Sequence, residues 1–138
     1  MALFIWMNSL VPGEGSSSLS LAVVAAIQGA LGAVGLPSAW VTNLLVRKTA
    51  HFLEYALLAV LVSRAIDPRG GLGAARAAWI AAMLVFVPSV DECIQLSVPG
   101  RSGQLSDVLL DCCGGAAGAL ACWAIGRLRA KKGAGRKK

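Results

Sequence analysis

Residues 105–128 read LSDVLLDCCGGAAGALACWAIGRL. Between Asp111 and Arg127 no residue carries a charge, and a helix rising about 1.5 Å per residue would cross most of a bilayer core over that length. Asp107 and Asp111 stand one helical turn apart, and the same stripe continues through Gly114 and Gly118. One helix face is therefore acidic above and almost without side chains below. Small residues at that spacing let a neighbouring helix approach closely.

Two further stretches read the same way, about Leu44 to Ile66 and about Ala74 to Leu96. The linker Asp67-Pro68-Arg69-Gly70-Gly71 separates them, and Pro99-Gly100-Arg101-Ser102-Gly103 precedes the last helix. Both linkers are turn chemistry. The chain has 138 residues, 57% hydrophobic and 14% charged, where soluble domains carry about 25% charged residues. The mean hydropathy is +0.69. The fold expected is an all-α polytopic transmembrane bundle of about four helices. It divides into a transmembrane domain, residues 1–126, and a basic tail, residues 127–138.

The first forty residues are less regular. Met1 to Val11 is apolar and uncharged; it lacks the basic start of a signal peptide and reads as the end of a first transmembrane helix that is cut short. Pro12 to Ser18 has the composition of a loop. Leu19 to Leu36 has helical spacing and is expected to lie in the interface, with a re-entrant helix or a full span as the alternatives, ended by Pro37 and anchored by Trp40. Trp6, Trp79 and Trp123 are expected to face lipid or the interface, and Glu14 to be a solvated loop charge. Cys93, Cys112, Cys113 and Cys122 form no CxxC pair and read as small side chains within the membrane. A bridge from Cys93 to Cys112 or Cys113 is the alternative.

The net charge is +6, but its placement points to a membrane. Arg64, Arg69 and Arg76 flank the first linker, and Arg127, Arg129, Lys131, Lys132, Arg136, Lys137 and Lys138 crowd the tail. Alternating spans put these ten on one side and Arg47, Lys48 and Arg101 on the other. The positive-inside rule gives the ten to the cytoplasm. The chain is thus expected in a plasma membrane, crossing it several times, with its C-terminus cytoplasmic and the tail against anionic lipid. No phosphate loop, zinc-finger spacing or RNA-binding signature is present, so nucleic acid is not an expected partner.

Five of the seven acids, Glu54, Asp91, Glu92, Asp107 and Asp111, fall in the outward half, with His51, the single histidine. Fourteen uncharged residues separate Arg76 from Asp91. They span roughly 21 Å of a hydrocarbon core about 30 Å thick, so the helix must continue through Asp91, Glu92 and Gln95 to complete its crossing. His51, Glu54, Asp91 and Asp111 are therefore expected within membrane depth. Ionised groups there need a partner or a wet cavity. Helical phase supplies one, because Arg47, His51, Glu54 and Tyr55 share a face, as do Asp91 and Gln95. Pro88 is expected to bend its helix just before Asp91. Gln95 is expected to cap or hydrogen-bond the Pro-Gly-Arg loop.

These segments are Arg47-Lys48-Thr49-Ala50-His51-Phe52-Leu53-Glu54-Tyr55, Asp91-Glu92-Cys93-Ile94-Gln95-Leu96, Pro99-Gly100-Arg101, Ser106-Asp107-Val108, and Asp111 with the glycines after it. Together they resemble the VanZ-like family of bacterial membrane proteins over roughly residues 4 to 126. Asn8-Ser9-Leu10 and the serines after Pro12 resemble that family more loosely. The resemblance implies a cell-envelope membrane protein. The family's namesake is associated with low-level resistance to the glycopeptide teicoplanin.

The cluster admits several chemistries. As a catalyst, His51 would be a general acid or base with Glu54, Asp91 or Glu92 as partner. Arg47, Lys48 and Arg101 would hold a phosphate or carboxylate of a membrane lipid or lipid-linked cell-wall precursor, with Tyr55, Gln95, Asp107 and Asp111 completing the pocket. The same pocket would serve binding without turnover. A structural ion-pair network and a small proton-coupled transporter are the other readings. No cofactor is expected. One histidine without suitably spaced cysteines is thin for zinc, and a hard divalent ion on Asp91, Glu92, Asp107 and Asp111 is the metal alternative.

Overall fold

The computed structural model describes residues 1–66, 73–101 and 104–135, except for the side chains at 13, 14, 16 and 132–135. The expectations for Asp67 to Gly71, Ser102, Gly103, the Glu14 side chain and Arg136 to Lys138 fall outside the described residues. Five helices follow one another: α1 (Ala2–Ser9), α2 (Gly13–Ala33), α3 (Asn43–Ile66), α4 (Ala74–Leu96) and α5 (Leu105–Gly135). Among the described residues, three stretches are long and apolar enough to cross a membrane: Asn43–Ile66, Ala74–Leu96 and Leu105–Lys131.

What the bundle hides and what it shows identify its solvent. Asp91, Asp111, Glu92, Gln95, Ser9 and Ser63 are buried, while Leu53, Leu57, Leu61, Trp79, Phe86, Leu109 and Leu120 are exposed. Water would reverse that arrangement. Lipid favours it, because polar groups must find protein partners while leucines meet chains as apolar as themselves. This is an all-α membrane protein.

The glycine stripe sets the core. α3 and α5 run parallel. A Cβ on Gly114 would fall on the carbonyl of Phe52 and lie 3.1 Å from its Cα, and a Cβ on Gly118 would fall on the carbonyl of Ala56. The next glycine serves the third helix, since a Cβ on Gly115 would lie 2.9 Å from Leu84 Cδ2 of α4. Ala59, Ile80 and Leu84 form the apolar floor, and Ile5, Tyr55, Leu58 and Val87 tie α1 to the bundle.

Pro88 lies inside α4 and cannot donate to the Leu84 carbonyl four residues back. The Cys112 thiol of α5 donates to that carbonyl instead, at 3.5 Å. All four cysteines are free, so the bridge from Cys93 does not form. Cys93 and Cys113 are exposed on the helix surface.

The first forty residues depart from expectation at two points. Helix α2 begins at Gly13, five residues before the expected loop ends. Pro12 sets the entry with an extended backbone, and the serines turn back on their own helix, Ser18 Oγ to Gly15 O at 2.8 Å and Ser20 Oγ to Ser17 O at 3.0 Å. Such bonds let serine sit in a first helical turn that composition alone reads as loop. Its apolar part, Ser17–Ala33, is shorter than a span. Gly35, at φ +73, closes α2, with Leu36 N donating to Leu31 O and Gly35 N to Gly32 O. Trp6 is the second departure. It faces the bundle, and its Nε1 donates to Val87 O at 3.2 Å. Trp40 and Trp79 are exposed as expected.

Helix α2 leads on to α3. Gln28 Nε2 donates to Val41 O at 2.9 Å, and Ser20 bonds Asn43, so α2 lies across the start of α3. Thr42 Oγ1 caps α3 by accepting from Leu45 N. At the other end of the chain, α5 continues to Gly135, seven residues past the expected end. Arg129, Ala130 and Lys131 are good helix formers, and cations complement the C-terminal dipole. Arg127 lies over the Trp123 ring, 5.0 Å from its centroid.

Candidate functional site

The parallel pairing of α3 and α5 brings the charged residues together. Lys48 pairs with Asp107, and one turn deeper His51 Nδ1 lies 3.9 Å from Asp111 Oδ1. α4 contributes Asp91 from the third side. One ligand-type atom each from His51, Asp91 and Asp111 lies within 4.8 Å of the others. Three separate stretches of chain thus meet at one point, as their helical phases require.

Asp91 is fully buried, Asp111 is 2% exposed, and Tyr55 is fully buried one turn below His51. Asp91 Oδ2 accepts from Gln95 Nε2 at 2.9 Å, and the same Gln95 amide reaches Ser9 Oγ at 3.4 Å. The Gln95 side chain therefore orients Asp91 and grips α1 and makes no bond to the Pro-Gly-Arg loop among the described residues, while its backbone carbonyl accepts from Val98 N at 3.1 Å where α4 ends before that loop. Glu92 holds that region instead by accepting from the backbone N–H of Gln104 at the entry to α5. Asp91 Oδ1, Asp111 Oδ1 and Tyr55 Oη are buried without a hydrogen-bond partner among the described residues.

Arg101 sits on a tight turn, with Arg101 N bonded to Val98 O and Gly100 at φ +75. Pro at the second position and a positive φ at the third make this a type II turn. The turn directs the guanidinium at the end of α1, where Nε donates to Val11 O at 3.0 Å and Nη2 to Asn8 O at 3.1 Å. Burial, then the nearby charge of Arg47, lower its pKa from the ordinary arginine value. Arg101 thus holds α1 in place beside the cluster.

A cavity of about 300 Å³ opens on the other side of His51. Asn8, Ser20, Arg47, His51 and Glu54 give it a polar end, and Val11, Leu19, Val23 and Val46 give it an apolar wall. His51 is shared between cavity and carboxylates. Of the residues singled out from sequence, Arg47, His51 and Glu54 line this cavity. Asp91, Asp111 and Gln95 stand behind it, and Lys48, Asp107, Glu92 and Arg101 tie neighbouring elements together. Ser20 and Trp6 carried no sequence signal, because each acts through a contact with a distant helix. A second cavity, of about 320 Å³, lies at the far end of the bundle and is lined mainly by Ile80, Leu84, Leu120 and Trp123; it holds none of the charged cluster.

No curated protein and no solved structure matches the chain. The family model of VanZ/LLP1 matches residues 1–126, which include every residue of the cluster and all of the helices that build it but the end of α5, so the chain belongs to the VanZ/LLP1 family.

Proposed function

We propose that the chain is a cell-envelope membrane protein whose recess opens on the extracytoplasmic side and binds the anionic headgroup of a lipid or lipid-linked cell-wall precursor. The observation that carries this reading is the two-sided lining of the cavity beside His51. Arg47 and His51 suit a phosphate or carboxylate, and Leu19, Val23 and Val46 suit the hydrocarbon attached to it. Amphiphiles are the ligands that need both surfaces within one small pocket. The outward orientation rests on the sequence, where ten of thirteen cations fall on the side away from the cluster. We favour binding over turnover because Arg47 and His51 together suit an anion, although Glu54 lines the cavity beside them; Asp91 and Asp111 are not among its lining residues.

Altered susceptibility to glycopeptides such as teicoplanin would follow if the recess withholds or changes a surface precursor. The test is lipid and cell-wall profiling, with teicoplanin susceptibility, in cells carrying wild type, Arg47→Ala, His51→Ala or no protein. The reading expects wild type alone to change the profile, with Arg47→Ala matching cells that lack the protein. A wild-type profile in cells carrying Arg47→Ala at normal expression contradicts it.

A further inference from the structure

We propose that His51, Asp91 and Asp111 form a binding site for a divalent metal ion of the zinc class. Three observations meet at this point. The three residues come from three different helices, yet each offers a ligand atom within 4.8 Å of the other two. Asp91 and Asp111 are at least 98% buried, and each has its Oδ1 without a hydrogen-bond partner among the described residues. Asp111 Oδ1 faces His51 Nδ1 at 3.9 Å, beyond hydrogen-bond reach.

Charge gives the same answer. Two carboxylates this deeply buried call for a compensating cation. Lys48 is committed to Asp107 and Arg101 to the carbonyls of Asn8 and Val11, while Arg47, one turn from His51, lines the cavity and makes no ion pair with either aspartate among the described residues. A divalent ion bound by two carboxylates and a neutral imidazole makes a site of zero net charge, which suits membrane depth.

The donor set also selects the ion. An imidazole favours zinc-like ions over magnesium or calcium. Zinc bonds of about 2.0–2.2 Å place tetrahedral ligand atoms roughly 3.3–3.6 Å apart. The three ligand atoms, within 4.8 Å of one another, would have to draw closer to reach that spacing. Three protein ligands leave the fourth position open, and His51 also lines the cavity. Gln95 is a positioning residue here, holding Asp91 Oδ2 and leaving Oδ1 for the ion. This set differs from the four carboxylates that spacing suggested, because Asp107 and Glu92 are already engaged.

The site does not depend on the headgroup reading, and its test uses metal alone. Full-length protein in detergent is stripped with chelator and titrated with Zn²⁺, Mg²⁺ or Co²⁺. Metal content is read by elemental analysis, Co²⁺ ligation by visible absorption, and folding by thermal melting. The site predicts one Zn²⁺ per chain, bound more tightly than Mg²⁺, with a metal-dependent rise in melting temperature. It should survive replacement of all four cysteines by serine. His51→Gln and Asp111→Asn should each lose the site while still melting cooperatively, and Gln95→Ala should weaken it about 10–100-fold. Should either ligand variant misfold, the serine-substituted protein decides, because its imidazole and carboxylates are intact. Failure of that protein to bind Zn²⁺, a preference for Mg²⁺, or undiminished binding by folded Asp111→Asn overturns the proposal.

Discussion

Gly114 rests directly on the carbonyl of Phe52, so α3 and α5 touch through their backbones at the level just below His51. A neighbouring backbone cannot rotate aside as a side chain can. Gly114→Ala or Gly118→Ala must push the two helices apart. Overpacking typically costs about 1–3 kcal/mol, and the upper end is expected here. Melting in detergent should fall clearly for both variants. Ala117→Val, at an exposed position of the same helix, should leave melting nearly unchanged.

The Leu84 carbonyl gives a coupled prediction. Cys112→Ala removes its donor and should destabilise the protein by about 0.5–1 kcal/mol. Cys112→Ser keeps a donor and should be milder. In a Pro88→Ala background the new N–H can satisfy Leu84, so the Cys112→Ala penalty should shrink. Equal penalties in both backgrounds, in a double-mutant cycle of melting data, would show that the thiol does not serve that carbonyl.

Lys48 and Asp107 are each about one-third exposed, at 35% and 33%. Their pairing should be worth only about 0.2–1 kcal/mol. Lys48→Ala and Asp107→Ala should cost similar amounts, and the exchange Lys48→Asp with Asp107→Lys should recover most of the loss. A headgroup role for Lys48 would instead leave the exchanged protein stable but inactive, which the susceptibility assay reads.

Arg101 makes two bonds with different nitrogens of one guanidinium. Lysine cannot reproduce that fork. Arg101→Lys and Arg101→Ala should therefore both loosen α1. Hydrogen exchange should speed up over Ala2–Ser9 while the lower half of α5 stays protected. Unchanged exchange in α1 would mean that the arginine does not anchor it.

Much of this arrangement was legible in the sequence. The three long helices begin within a residue of where composition places them, because lipid imposes length and hydrophobicity on a span. The stripe Asp107, Asp111, Gly114, Gly118 encoded the closest helix pair, since small residues and fixed phase leave few ways to pack. The functions of individual polar side chains were less legible. Gln95 and Arg101 both reach α1, whose position depends on contacts with Ile5, Trp6 and Ser9 that no local pattern announces. Serines after Pro12 were read as loop because their hydroxyls look the same in sequence whether they bond their own helix or water.

The recess beside His51 is proposed to hold an anionic lipid headgroup, and native mass spectrometry of the purified wild-type protein and of Arg47→Ala, in parallel from the same membranes, reads that headgroup's lipid itself. A charge-assisted contact is worth about 1.5–3 kcal/mol, or roughly a 10–150-fold change in affinity. Wild type should therefore carry a bound phosphorus-containing lipid that Arg47→Ala, equally folded, has largely lost. Equal lipid occupancy in the two proteins, or none in either, would contradict it.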